Sequence, residues 1–288
     1  MSLTDPSFIR QLESLFLLAR RVLGGSLQAD RKSSRKGTGI TFADYSEYNL
    51  GDDFRAIDWQ VFAKSDELFI KLFEMEEDAT IYLLLDTSHS MQSKLLEASQ
   101  LAAAIGYIAL NCHDRLVPYL MADSLQPLVE PTRGRGAILP FLRALDDIET
   151  FGSDTNLLKC VKELRARHTK KGIVLVISDF LYPDGFDEGL RLLQGMKHDT
   201  FCIQIHDPQD LQCELKGDVE LECVETGKKN KVTVTKKEAQ AYEKAIADWN
   251  ESLRKACLRR GIGHVTTMSN ENYSDTVTNI IRSGGIAG

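Results

Sequence analysis

Asp86, Ser88 and Ser90 fall at alternate positions in the stretch IYLLLDTSHSMQS, residues 81–93, directly behind an apolar run that reads as a buried strand. A buried carboxylate without a partner is costly, so Asp86 calls for a cation, a cluster of backbone N–H groups or a reacting group. A second apolar run, IVLVISDF, leads into Asp179, and FGSDTNLL, residues 151–158, offers Thr155 at a helix start. Two carboxylates and three hydroxyls make an all-oxygen set that suits a hard cation keeping part of its water, Mg2+ or Mn2+ rather than zinc. Asp and Ser also cap helices behind many strands, so D-x-S-x-S alone carries little weight. The weight lies in three such segments falling where one end of a sheet could gather them.

Other chemistries fit less well. His89 stands between Ser88 and Ser90, but adjacent side chains point apart and the chain has no G-x-S-x-G elbow for acyl transfer. A metal-dependent phosphotransferase of the haloacid dehalogenase type is the alternative reading. That chemistry wants a second Asp two residues after the first, where this chain has Ser88. TRGRG, residues 132–136, lacks the spacing and the Lys of a phosphate-cradling P-loop.

The elements that would position these residues alternate from residue 80 onward. Strand-like runs cover Ile81–Leu85, Leu116–Met121, Leu125–Glu130 (an antiparallel edge), Ile173–Ile177, Thr200–Ile205 and His264–Thr267. Helical patterns fall near 93–112, 136–148, 155–168 and 185–195, then over Lys236–Arg260 and YSDTVTNIIRS. Such alternation predicts an α/β fold, a mostly parallel sheet with helices on both faces. In such sheets ligands gather at the carboxyl ends of the strands, near a switch in strand order.

Residues 217–234 break the pattern and read as an inserted β-hairpin turning at 225–230. Residues 37–78 alternate aromatic and polar residues around Gly-Asp punctuation, which predicts short strands and turns. Within them GDDFRAIDW reads as a turn followed by a buried ion-pair network, Arg55 with Asp53 or Asp58 and Trp59 as an anchor. With no linker before residue 80, residues 1–78 read as an extension packed on a main domain of residues 79–288.

A net charge of -7 argues against nucleic acid as the main ligand. The basic run DRKSSRKG at 30–37 reads as a solvated loop. Six cysteines without C-x-x-C spacing read as reduced thiols of a cytoplasmic protein. Phe8, Leu12, Leu15, Phe16, Ala19, Val22 and Leu23 recur at helical spacing, which predicts a docked amphipathic helix, with no signal peptide and no membrane span.

The pattern D-x-S-x-S, a later Thr and a later Asp resembles the metal-ion-dependent adhesion site of von Willebrand factor A domains. EYNLGDDFRAIDW at 47–59 and LFIKLFEMEED at 68–78 resemble the signature of the bacterial family known as domain of unknown function 58, over roughly residues 20–285. The resemblance implies a von Willebrand factor A-like fold in which Ser88, Ser90 and Thr155 reach the metal while Asp86 and Asp179 act largely through water. A Glu or Asp carboxylate from a partner protein would complete the octahedron. It further implies a non-enzymatic, Mg2+-dependent protein-interaction module, an adaptor or substrate-recognition partner of a MoxR-type AAA+ ATPase. Many relatives carry two N-terminal membrane helices, which this sequence does not show.

Overall fold

Thr80–Asp86 forms strand β4, and every one of its residues is buried, as a strand covered on both faces must be. The computed structural model describes residues 2–23, 32–36, 41–49, 52–76, 79–150, 155–222 and 229–282. The chain divides into two compact units, residues 1–20 with 79–286 and residues 21–78.

In the larger unit β4 is followed by α3 (Leu95–Asn111), β5 (Arg115–Met121), β6 (Leu125–Pro127), β7 (Thr132–Arg133), α4 (Ile138–Asp146) and α5 (Leu157–Arg167). Then come β8 (Ile173–Ser178), α6 (Asp187–Gly195), β9 (Asp199–His206), α7 (Pro208–Leu211), the hairpin β10 (Gly217–Glu222) and β11 (Lys229–Val234), α8 (Lys236–Arg259), β12 (Gly263–Met268) and α9 (Tyr273–Arg282). The sheet runs β12-β9-β8-β4-β5-β6, with β7 also on β5. All pairings from β12 to β5 are parallel, and β6 and β7 are antiparallel to β5. Counted from β4 as first, this is the doubly wound order 3-2-1-4-5-6, whose direction of winding reverses between β4 and β8. Asp86 and Asp179 lie at that reversal.

Side-chain alternation sends Tyr82, Leu84, Val174 and Val176 to one face, against Leu157 and Leu164 of α5, Leu190 and Leu193 of α6 and Leu253 of α8. Gly189 lets α5 and α6 approach closely, since a Cβ there would stand 2.6 Å from Leu157 Cγ. On the other face α3 contacts β4, β5 and β8, and α9 packs on α3 and β12. The predicted N-terminal helix is α1 (Pro6–Leu23), with Phe8, Leu12, Leu15 and Ala19 buried. Phe16 meets Tyr107 of α3, Phe8 meets Tyr273 of α9, and Asp146 Oδ1 accepts from the Leu3 N–H at 2.7 Å.

The hairpin forms in the predicted place, pairing Gly217 with Val234 through Glu222 with Lys229; most of its expected turn lies outside the described residues. Helix α8 buries only its C-terminal part, including Leu253 and Cys257, while Tyr242 in its first half is exposed. Cys112, Cys160, Cys202, Cys213 and Cys257 are free, and Cys223 lies outside the described residues. Among the described residues no helix is long and apolar enough to cross a membrane.

Among its described residues the smaller unit has an antiparallel sheet of β1 (Lys32–Lys36), β2 (Thr41–Glu47) and β3 (Phe69–Glu76) in the order β1-β3-β2, a 3-10 turn at Phe54–Ala56 and the α-helix α2 (Trp59–Ser65). The basic run is therefore not a loop: its backbone groups pair with β3 from Lys32 opposite Glu76 to Lys36 opposite Leu72. The buried ion-pair network expected at GDDFRAIDW is not what forms. Arg55 Nε stands 3.8 Å from Asp53 Oδ1 with both side chains exposed, and Trp59 is 59% exposed. The acids cap turns instead. Asp53 accepts from the Arg55 N–H at 3.0 Å, while Asp58 accepts from Gln60 N–H at 2.9 Å and from Tyr45 Oη at 3.0 Å.

Candidate functional site

At the end of β4 the chain leaves the sheet with the Thr87 N–H donating to Met121 O, and a short turn follows in which the Met91 N–H donates to Ser88 O. An Asp in this place can accept from the backbone two residues on, the Asx turn that makes the alternate spacing useful. Asp86 Oδ1 accepts from the Ser88 N–H at 3.0 Å, from Ser88 Oγ at 2.8 Å and from Thr155 Oγ1 at 3.1 Å. Ser88 Oγ thus donates to Asp86, and the Ser88 and Ser90 hydroxyls stand in hydrogen-bond contact at 3.1 Å. Thr155 stands one residue ahead of the Asn156 cap of α5, so slightly before the helix start that the sequence predicted. Asn156 N–H donates to Ala122 O just past β5, and Asn156 Oδ1 accepts from Lys159 N–H at 2.8 Å, which fixes Thr155 beside β4.

Asp179 follows β8 directly. Its Oδ1 accepts from the Leu181 N–H at 3.1 Å and its Oδ2 accepts from the Lys94 ammonium at 2.8 Å. Phe180, next in line, adopts a left-handed backbone at φ 57° and its carbonyl accepts from the Trp249 indole at 3.1 Å. Asp86, Ser88, Ser90 and Thr155 therefore form one hydrogen-bonded group, and Asp179 joins it as a neighbouring charge. Burial first, and the Asp179 charge second, push the Asp86 carboxyl up to about 6, against the opposing hydrogen bonds from Ser178 and Ser88.

Four participants escaped the sequence reading. Ser178 Oγ donates to Asp86 Oδ2 at 2.6 Å and accepts from Tyr182 Oη at 2.7 Å. Lys94, buried at the head of α3, donates to Asp179 and also to Asp210 Oδ2 at 2.8 Å. Burial works against the Lys94 charge, but Asp179 and Asp210 more than offset it, and the pKa rises above that of an ordinary lysine. The available signals were slight: a polar Ser one residue before Asp179, a cation opening the apolar helix KLLEASQLAAAIGYIAL, and the D-P-x-D cap of α7.

Among the described residues no three Asp, Glu, His or Cys side chains converge as a metal cluster. The donor set is instead two carboxylates and three hydroxyls on three segments of one sheet end. Its all-oxygen chemistry fits a hard divalent cation.

The pattern of the family described as "Protein of unknown function DUF58" matches residues 44–252. The Mycobacterium tuberculosis protein named "Uncharacterized protein Rv1480" is 26% identical over 231 residues, 77% of this chain and 73% of its own length. Among solved structures, the conserved hypothetical protein BatB of Bacteroides thetaiotaomicron covers 71% of this chain and 98% of its own, at 14% identity and TM-score 0.43. Proximal thread matrix protein 1 of the mussel byssus, solved with a zinc-occupied MIDAS motif, covers 71% of this chain and 47% of its own, at 12% identity and TM-score 0.43.

Proposed function

Since the chain belongs to the DUF58 family, whose pattern spans most of it, we propose a role not in catalysis but in metal-dependent protein interaction. The carrying observation is that Asp86 Oδ1 gathers hydroxyls from two loops far apart in the chain, Ser88 at 2.8 Å and Thr155 at 3.1 Å, with Ser90 against Ser88. In this reading Ser88, Ser90 and Thr155 hold Mg2+ or Mn2+ by their hydroxyls, and Asp86 and Asp179 hold it largely through water. A cation with so few anionic contacts supplies a coordination position that favours an outside carboxylate. The chain's own residues do the rest. Asp86 orients the hydroxyls, Ser178 and Tyr182 fix Asp86, and the α5 cap holds Thr155 in reach.

The partner is a protein that presents Glu or Asp at its surface, and a MoxR-type AAA+ ATPase is the first candidate. The free, buried thiols of Cys160, Cys202 and Cys257 accord with the cytoplasmic location this reading takes, which cell fractionation tests. Affinity for the ATPase is measured with Mg2+ and with EDTA, for wild type, for Ser88→Ala with Ser90→Ala, and for Thr155→Ala. A carboxylate contact at the centre of an interface is worth ~2 kcal/mol or more, roughly thirtyfold in affinity. EDTA and the hydroxyl deletions are each expected to cost about that much, and together little extra, because they remove one interaction. Binding indifferent to both would place the docking surface elsewhere.

A further inference from the structure

Lys94 stands at the edge of the cluster with its ammonium on Asp179. It occupies the N-cap position of α3, where the helix dipole disfavours positive charge, and its side chain is only 2% exposed. Two carboxylates offset that cost, each 2.8 Å from the ammonium: Asp179, 1% exposed, and Asp210, 28% exposed. His206, buried nearby at the end of β9, adds no competing charge, because burial and then the Lys94 charge hold it below an ordinary histidine pKa. The ammonium therefore stands on one of the two carboxylates offered to a metal ion.

We propose that Lys94 is a resident cation that competes with the divalent ion for Asp179 and keeps the metal affinity of the free protein low, with Asp210 as the alternative seat for the ammonium. This rests on the metal reading of the cluster. Two positive charges drawn to one buried carboxylate repel each other strongly in a poorly screened setting. Asp210 makes their coexistence workable. It sits on the short surface helix α7, with Oδ2 accepting from the Asp207 N–H at 3.2 Å and its carbonyl accepting from Tyr242 Oη at 2.9 Å, so it offers a fixed second acceptor. The ammonium can lean toward Asp210 without losing its pairing. A partner's carboxylate adds the negative charge that the resident ammonium offsets, so metal and partner reinforce each other's binding, and by linkage do so equally. Free protein then holds little metal, and the site fills as the complex forms.

Mn2+ binding to wild type, Lys94→Met, Lys94→Gln, Asp210→Asn and the double variant Lys94→Met with Asp210→Asn, followed by electron paramagnetic resonance, tests this without any partner. Removing the ammonium is expected to tighten Mn2+ binding by about tenfold or more, and Asp210→Asn to weaken it about threefold. In the Lys94→Met background the Asp210 change should fall below about twofold, because Asp210 acts through Lys94. Lys94→Gln keeps a polar partner for Asp179 should Met destabilise the fold, and its thermal midpoint should rise more with Mn2+ than that of wild type. Detectable binding by the Lys94 variants where wild type shows none would also support the proposal. Wild type binding Mn2+ as well as or better than both Lys94 variants would overturn the resident-cation role and leave the metal site standing. Failure of every variant to bind would overturn the metal reading itself, and this inference with it.

Discussion

Ser178 Oγ donates to Asp86 Oδ2 at 2.6 Å, joining the last residue of β8 to the last residue of β4 across the point where the winding of the sheet reverses. The same oxygen accepts from the Phe180 N–H at 2.9 Å and from Tyr182 Oη at 2.7 Å. The serine thus passes the order of one loop to the carboxylate of the other. Ser178→Ala leaves three buried groups short of a partner and is expected to cost about 1–3 kcal/mol, read as a lower urea midpoint. Tyr182→Phe removes one donor and is expected to cost less. A Ser178→Ala midpoint equal to wild type would show that this bond does not hold the site together.

The raised Asp86 carboxyl, at about 6, gives stability a definite pH slope. Unfolded Asp titrates near about 4, so between about pH 4 and 6 the native state binds more protons than the unfolded one. The metal-free protein should therefore lose stability as pH rises through that window. Glu97, raised to about 7 by burial and then by the Glu271 charge, extends the same trend upward. Urea unfolding in EDTA at several pH values should show this decline, and Asp86→Asn should flatten its lower part while Glu97→Gln flattens the upper. A slope unchanged by Asp86→Asn would mean that the carboxylate ionises without strain.

Much of the sheet unit was legible because each buried strand is an apolar run and each helix repeats its apolar residues at helical spacing. Thr80–Asp86, Ile173–Ser178 and Asp199–His206 lie within a residue or so of the strands read from sequence. The smaller unit was less legible. Trp59–Ser65 is a short helix with no extended periodicity, begun by the Asp58 cap, and the basic run gains order only by pairing with β3. In the candidate site the residue types and their spacing were visible in the sequence, but Lys94 was not. A lysine at a helix head ordinarily faces water, and what buries this one is contact with acids 85 and 116 residues further along. Ser178 was hidden for a similar reason: nothing in VISDF says which of its polar residues turns toward Asp86.

Packing between α5 and α6 has a sharp local test. Gly189→Ala would set a Cβ 2.6 Å from Leu157 Cγ, whereas Gly195, on the same helix, has nothing within 4 Å. Gly189→Ala is expected to destabilise by about 1–3 kcal/mol through overpacking. Gly195→Ala should be neutral, or stabilising by up to about 1 kcal/mol, through the lost freedom of glycine. Chemical denaturation of both variants checks the pair, and equal midpoints would contradict the close approach.

A nucleophilic Asp needs an accessible oxygen, and Asp86 is fully buried with both oxygens already accepting hydrogen bonds. Ser88 moreover stands where a haloacid dehalogenase would need an acid/base carboxylate. A screen with phosphate esters and carboxylic esters in Mg2+ is expected to show no turnover. Activity abolished by Asp86→Asn would turn the reading toward phosphoryl transfer.

Calorimetric titration of Mn2+ into wild type and into Asp86→Ala tests the central claim most directly. Asp86 organises Ser88 and Thr155 and is one of the two carboxylates in the set. The account predicts one Mn2+ per chain for wild type, weak enough to need high protein concentration, and loss of that binding in Asp86→Ala with circular dichroism unchanged. Equal binding by the two proteins would contradict it, because the ion would then be held somewhere other than the end of β4.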